Sequence, residues 1–366
     1  MPLLDIASPQ TTRYDVVALG EIMLRLDPGD HRIASARQFE AWEGGAEYNV
    51  ARSAHQTFGL RGAIVTALVD NEIGRLLNNL IAMSGLDLDF IDWRDFDGIG
   101  RAARNGLYFA ERGFGVRGAV ACSDRANSAI SQLRPADIDL HELFEVRRTR
   151  WFHSGGIMAG LSEQAAATTE AVVAAAKAAG AIVSYDLNYR PSLWASHGGL
   201  EGCRQVNRRL AAQVDVIIGN EEDYDTCLGI AAAGTDQSYA RLDPAAYQAM
   251  IETTVDQFPN LTVAAVSLRQ VISASRNDWG ALAWSARDGF VAATPRPGLE
   301  VFDRVGGGDS FAAGLIHGLL HDDLRLGVEY GAANGAIAMT TPGDTTTATL
   351  AEVRRLAGGG SARIQR

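Results

Sequence analysis

The 366-residue chain carries 33 Lys and Arg against 44 Asp and Glu, a formal net charge of -11, with 47% hydrophobic and 21% charged residues. This is the composition of a globular protein with a sizeable core, at a length where roughly three quarters of the unfolded surface can be buried in one large α/β domain or two average ones. The acidic balance repels a polyphosphate duplex and an anionic membrane surface, so neither nucleic acid nor membrane is an expected partner, and an anionic small substrate would need a local cluster of arginines.

Cys122, Cys203 and Cys227 are widely spaced, with no CxxC and no His at ligand spacing. A disulfide framework and a zinc site are therefore not expected, and the pattern fits a reducing cytoplasm. The start, MPLLDIASPQTTRYD, lacks a basic stretch followed by a long apolar core, so no signal peptide is expected. No uncharged apolar run approaches the roughly 18 residues that a membrane span needs.

Residues 1–13 read as a loose arm. From Tyr14, YDVVALGEIMLRL reads as a buried strand that crosses into a second extended piece after Gly20. Gly44 and Gly45 then lead through Asn49 into the helix-like VARSAHQTFGL, which ends at Gly59. Taken alone, that pair of glycines is a plain strand-to-helix connection. AIVTALVD, Ala63 to Asp70, is a strand, followed by a helix through Ser84 with Gly85 as its C′ residue. Strand, helix and strand at this rhythm predict a parallel sheet with right-handed crossovers. From Ile91 to Asn127 short alternating runs between glycines predict hairpin strands.

WFHSGGIMAGLS, Trp151 to Ser162, contains His153, which reads as a satisfied core histidine, and the alanine-rich helix from Ser162 to Gly180 reads as core packing. In DLNYRPSLW the residues Asp186, Asn188 and Arg190 alternate just after the apolar strand AIVSY, at the strand edge where open α/β sheets bind ligands. Arg125 in SDRANSA reads either as a solvated loop charge or, with Arg190, as a grip on a carboxylate, since the planar guanidinium fork matches that group. Two such arginines suggest an acidic sugar. Asn220, Glu221, Glu222 and Asp223 follow the apolar VDVII and could be the polar start of a helix, favoured by its dipole. Gly229 to Met250 reads as a polar surface insertion, LTVAAVSLR (Leu261 to Arg269) as the next buried strand, and ISASRNDWGALAW as a hairpin.

The stretch Asp303 to Leu320, DRVGGGDSFAAGLIHGLL, is a glycine turn feeding a helix: Gly306, Gly307 and Gly308 precede Asp309 and Ser310, and then apolar residues fall three and four apart. The plain reading is a turn and an N-cap. The functional one is an anion site, because the first helical turn leaves N–H donors unpaired at its positive end, with Asp309 placed to take a proton from an attacking hydroxyl.

DRVGGGDSF resembles the C-terminal signature of the ribokinase-like (PfkB) carbohydrate kinases, written DTxGAGDxF. The resemblance spans about residues 14–356 and implies one α/β domain, a central mostly parallel sheet flanked by helices. A small β-lid is formed by segments about 21–43 and 99–126, with residues 357–366 as a flexible tail. It implies Asp309 as the base and Gly306, Gly307 and Gly308 as the anion hole, with Gly44, Gly45 and Asn49 on sugar hydroxyls. ATP and Mg²⁺ are implied as co-substrate and ion. The family motif NxxE, whose Glu orders magnesium waters, falls here on Asn220 with Glu222 one residue early and Asp223 at the third position, so either carboxylate could serve. Ser267 and Arg269 are implied near nucleotide phosphates, and the segment Tyr330 to Asp344, with Asn334 and Gly343, over the adenine.

Within the family, GEIMLRL, GLYF, the Arg of DRA, DLNYR and DRVGGGD are most similar to kinases of 2-keto-3-deoxygluconate. Arg125 and Arg190, with Tyr108 as a further contact alongside Asp186 and Asn188, would then hold the sugar acid. Three departures are visible. Arg304 replaces the usual Thr, in a region where many relatives bind a monovalent cation, which leaves potassium dependence open. Gly307 replaces the usual Ala, and Ser123 stands where relatives often have Tyr, which leaves room for a different sugar acid. The alternatives are a kinase for a neutral sugar such as fructose or ribose, and a non-catalytic sugar-binding protein; a dinucleotide oxidoreductase lacks its GxGxxG after the first strand. A homodimer formed through the lid is the family-level expectation for assembly.

Overall fold

Aliphatic runs without polar alternation become the buried strands of one large sheet in the computed structural model, which describes residues 1–232 and 244–360. The first part of the chain forms β1 (Val16–Leu19), β2 (Met23–Asp27), β3 (Glu40–Gly44), α1 (Ala46–Phe58), β4 (Gly62–Val69), α2 (Glu72–Ala82), β5 (Ile91–Arg94), β6 (Leu107–Glu111) and β7 (Val120–Asp124). Then come β8 (Trp151–Gly155), α3 (Gly156–Gly160), α4 (Glu163–Ala178), β9 (Ile182–Asp186), α5 (Pro191–Trp194), α6 (Gly199–Ala211), β10 (Val216–Gly219), α7 (Glu221–Asp223) and α8 (Pro244–Gln257). The last part is β11 (Val263–Ser273), β12 (Arg276–Ser285), β13 (Gly289–Ala292), β14 (Arg296–Glu300), α9 (Gly307–Leu320), α10 (Leu324–Ala338) and α11 (Leu350–Ala357).

The large sheet runs β13-β12-β11-β10-β9-β8-β1-β4-β5, with β14 also on β12. From β11 to β5 every pairing is parallel, whereas β11 to β12 and β12 to β13 are antiparallel. Strands β1, β4, β8, β9 and β10 are buried along their whole length, as expected of a parallel sheet covered on both faces. Alternate residues feed two cores: Val17, Phe152, Val183 and Ile217 pack in the layer that holds α4 and α6, and Val16, Trp151, Ile182 and Val216 in the layer that holds α9 and α10.

The remaining strands make a separate four-stranded sheet, β3-β2-β6-β7. Of the hairpin strands expected over 91–127, β6 and β7 do pair antiparallel. Ile91–Arg94 does not join them: it lies parallel to β4 in register with Thr66 to Val69 and closes the large sheet. Of the insertion expected over 229–250, residues 233–243 lie outside the described residues, and Pro244–Gln257 is helical. Of the expected tail, Ala357 ends α11 and 361–366 lie outside the described residues. Among the described residues no helix is long and apolar enough to cross a membrane.

Helix α9 is buried almost all round and packs on α10 through facing glycines. A Cβ on Gly318 would fall inside van der Waals contact with the Gly327 backbone, and one on Gly314 with Gly331. Alanine ordinarily stabilises a helix interior by up to ~1 kcal/mol over glycine. Here overpacking against main chain costs roughly 1–3 kcal/mol, so Gly318→Ala should lower the midpoint of thermal unfolding; a raised midpoint would contradict the packing described.

Candidate active site

The C-terminal ends of the parallel strands and the small sheet enclose a cavity of about 490 Å³. Its floor holds the glycine corner. Gly306 is the N-cap of α9 with φ 78°, and its Cα lies against the main-chain carbonyl of Asp344 so closely that no Cβ fits. Only glycine meets both demands. Gly307 and Gly308 open the helix and line the cavity with Asp309. Nothing approaches within 4 Å of a Cβ placed on Gly308, and one on Gly307 would meet only the flexible Met339 side chain, which accounts for Gly or Ala being possible at that position.

Asp309 is 8% exposed. Its Oδ2 accepts a hydrogen bond from Asn49 Nδ2 at 2.7 Å. The amide of Asn49 is turned that way because its Oδ1 faces the Gly45 N–H at 3.4 Å. Burial pushes the Asp309 carboxyl up to about 7; the bond from Asn49 and the charge of Arg190 oppose this, and Asp344 adds to it. Asn49, expected on sugar hydroxyls, thus already gives one N–H to Asp309.

Gly45, Tyr108, Arg125, Asp186, Asn188 and Arg190 also line the cavity. Gly44 is not on its surface: it lies beneath the Asp344 carboxylate and the Tyr108 hydroxyl. Tyr108 is not free, since its hydroxyl donates to Asp344 Oδ2. Arg125, read from sequence as a solvated charge or a substrate grip, instead donates both Nε and Nη2 to Oε2 of Glu21, the Nε bond being 2.8 Å. Arg190 is exposed and gives Nη1 to its neighbour's carbonyl, Tyr189 O, at 2.7 Å. Asp186 is held well above the ordinary carboxylate range by burial and then by Asp223 and Asp309. Asn188 adopts φ 33°, a left-handed backbone uncommon outside glycine.

Asn220, Glu222, Asp223, Ser267 and Arg269 line the cavity as well. The two carboxylates left open by the sequence differ sharply. Asp223 is buried, and its oxygens accept from Tyr189 N at 2.8 Å and Asn220 N at 2.9 Å while Asn220 Oδ1 accepts from Asp223 N. Glu222 is exposed and makes no hydrogen bond or ion pair within the described residues. Asn334 is a correction: it has no exposed surface, and its amide joins Ser53, Ser310 and Thr346, so it ties α10 to α1 and α9 and cannot meet a nucleotide. Gly343 packs on the Trp42 ring and does not line the cavity, whereas the next residue, Asp344, does. His153 is buried beside Ser184 Oγ at 2.8 Å, and burial lowers its ring to about 3, as expected of a core histidine.

Sequence reasoning missed the cluster behind the floor. Arg25, fully buried on β2, donates to Asp27 at 2.8 Å, to Asp344 at 2.6 Å and to Asp303. The available signal was the inward alternation of Met23, Arg25 and Asp27 in MLRLD, which puts charge where a strand face should be apolar. Glu47, in the first turn of α1, was missed too: it is 1% exposed, accepts from Met158 N at 3.2 Å, and is pushed by burial up to about 7.

Residues 13–350 match the model of the pfkB family carbohydrate kinases. The chain is 30% identical over 355 residues to a 2-dehydro-3-deoxygalactonokinase of Haloferax volcanii, covering 96% of this chain and 99% of that one. It superposes on the crystal structure of a 2-dehydro-3-deoxygluconokinase from Thermotoga maritima with a TM-score of 0.85 and 33% identity, covering 94% of this chain and all of that one. A ribokinase-type protein of E. coli, solved with ATP and Mg²⁺, shares the fold with a TM-score of 0.73 at 18% identity.

The elevated Asp309 carboxyl makes a stability prediction with a definite sign. Its folded value, about 7, exceeds the ordinary 3.8, so the folded state holds this proton where the unfolded chain releases it, and stability from this group falls as pH rises from about 4 to about 7. Asp309→Asn removes the ionisation. Its thermal midpoint relative to the parent should climb between pH 5 and pH 8; a pH-independent difference would refute the assignment.

Proposed function

The chain belongs to the PfkB family of carbohydrate kinases, and from that premise we propose that it transfers the γ-phosphoryl group of ATP to the primary hydroxyl of a 2-keto-3-deoxy sugar acid of the gluconate or galactonate type. The observation that carries the chemistry is the buried Asp309 carboxyl beside the glycine corner in one cavity. The sugar-acid assignment is supported by two guanidinium groups lining the same cavity, Arg125 and Arg190, and by the relatives named above.

In this reading Asp309 accepts the proton of the attacking hydroxyl. A group near 7 suits the task, since close to neutral pH it is ionised in a substantial fraction yet basic enough to hold a proton. The Asn49 N–H favours its ionised form. The N–H groups at the start of α9 face the phosphoryl group and stabilise charge as it grows during transfer. Gly45 brings backbone close to the sugar, Gly44 supports Asp344 and Tyr108 from beneath, and Tyr108, Asp186 and Asn188 shape the sugar's side of the cavity. Arg269 and Ser267 on β11, with Asn220, take the nucleotide phosphates, and Arg304 adds a cation beside the corner.

When bound, Mg²⁺ would neutralise charge on the phosphate oxygens. It keeps much of its hydration, and the exposed carboxylate of Glu222 fits the task of holding those waters. Asp223 does not, because its oxygens serve backbone N–H groups. A dimer through the small sheet belongs to the same reading: its outer strand β7 exposes all five residues, and light scattering on the purified protein tests it.

One observation favours a second reading, a kinase for a neutral sugar: Arg125 is already paired with Glu21. ADP release with ATP and Mg²⁺ across 2-keto-3-deoxygluconate, its galacto epimer, gluconate, fructose and ribose separates the two. Turnover is expected with the keto-deoxy acids, and preference for fructose or ribose would replace the acid assignment.

Asp309→Asn should lower kcat by about 10²- to 10⁴-fold, with near-normal turnover counting against its role. In the parent enzyme kcat/KM should rise with pH and level off above about 7 as Asp309 loses its proton. A profile flat from pH 5.5 to 8.5 would place the titrating base elsewhere.

A further inference from the structure

We propose that Glu21 is the positioning residue that fixes Arg125 for the carboxylate of the sugar acid and so sets the preference for acid over neutral substrates. The inference rests on the sugar-acid reading above. Glu21 lies in the short link between β1 of the large sheet and β2 of the small one, 1% exposed. Arg125 follows directly on β7, at the far edge of the small sheet, and lines the cavity.

Three features make this more than a surface ion pair. Both Nε and Nη2 of Arg125 go to one oxygen, Oε2, so that edge of the guanidinium is turned into the protein and Nη1, which has no hydrogen bond among the described residues, is left for a ligand. Glu21 Oε1 is buried without a hydrogen-bond partner among the described residues, and a carboxylate sealed from water is tolerated only beside its counter-charge; Glu21 therefore holds Arg125 as firmly as Arg125 holds Glu21. Space has also been made for it, since a Cβ on Gly106 would come within 3.0 Å of Glu21 Oε1.

A long, flexible arginine loses rotamer freedom when it grips a ligand, and a side chain already held in the gripping geometry avoids most of that loss at binding. Glu21 supplies this holding from beneath while the outer edge of the fork faces the cavity. Nothing in the proton transfer or the nucleotide side involves it, so its effect belongs to acid-sugar affinity.

The test is a double-mutant cycle in steady-state kinetics with 2-keto-3-deoxygluconate, each variant being checked for remaining folded at the assay temperature. Glu21→Gln, which keeps the shape and removes the charge, should raise the sugar KM by about tenfold while kcat and the ATP KM stay within about threefold. Arg125→Ala should raise the sugar KM at least as far, and the double variant should be no worse than Arg125→Ala alone, because partners in one interaction do not add. Glu21→Asp, which keeps the charge on a shorter arm, should rise less, and it carries the test if Gln at this position prevents folding. Additive effects, or a parallel loss in kcat and ATP KM, would show a merely structural Glu21. A large effect of Arg125→Ala with none from Glu21→Gln would overturn the positioning role alone; no effect of Arg125→Ala would overturn the sugar-acid role of Arg125 and this proposal with it.

Discussion

One buried guanidinium, that of Arg25, holds the two sheets in register around the cavity. It sits on β2 of the small sheet and reaches Asp303, just ahead of the glycine turn, and Asp344, in the loop after α10, while Asp27 on its own strand takes a further bond. Removing a partner from such a buried group leaves an uncompensated charge and costs roughly 3–5 kcal/mol. Asp344 is shared further: its second oxygen takes the Tyr108 hydroxyl from β6, and its main-chain carbonyl presses on Gly306. One loop residue thus touches the small sheet and the glycine corner together, so neither can shift without the other.

The corner itself depends on shape as much as on charge. Helix α9 is packed on nearly every side and cannot tilt, so its first turn is aimed into the cavity by the core behind it. Asp309, third residue in that helix, inherits the same rigidity, and Asn49 of α1 braces it from across the floor. Burial raises the carboxyl and the amide restrains the rise, a balance set by two helices that meet only in the folded chain.

What the sequence revealed, and what it hid, divides along distance in the chain. The glycine corner, Asp309, the DLNYR strand end and the buried parallel strands are local patterns of a few residues, and each is found where its pattern put it. The Arg25 cluster was not legible, because two of its three partners lie 278 and 319 positions away. Arg125 was read as a substrate grip or a solvated charge, and only the fold brings the Glu21 carboxylate, 104 positions earlier, onto its fork. Asn334 failed for a related reason: a polar residue in an alanine-rich helix looks available until two neighbouring helices close over it. Glu222 and Asp223 were inseparable by spacing and are distinguished by backbone N–H groups that capture one of them.

The small sheet is sewn into the large one twice. The chain leaves β1 to make β2 and β3, returns through α1, β4 and β5, and leaves again for β6 and β7 before β8 takes its place beside β1. The parallel pairing of β2 with β6 therefore joins residues about eighty positions apart, a long loop to close before any contact rewards it. In evolution the same stitching means that this cover cannot be inherited or exchanged as a cassette. A change of substrate has to be written into two separated stretches of the gene, and Glu21 and Arg125 stand one in each.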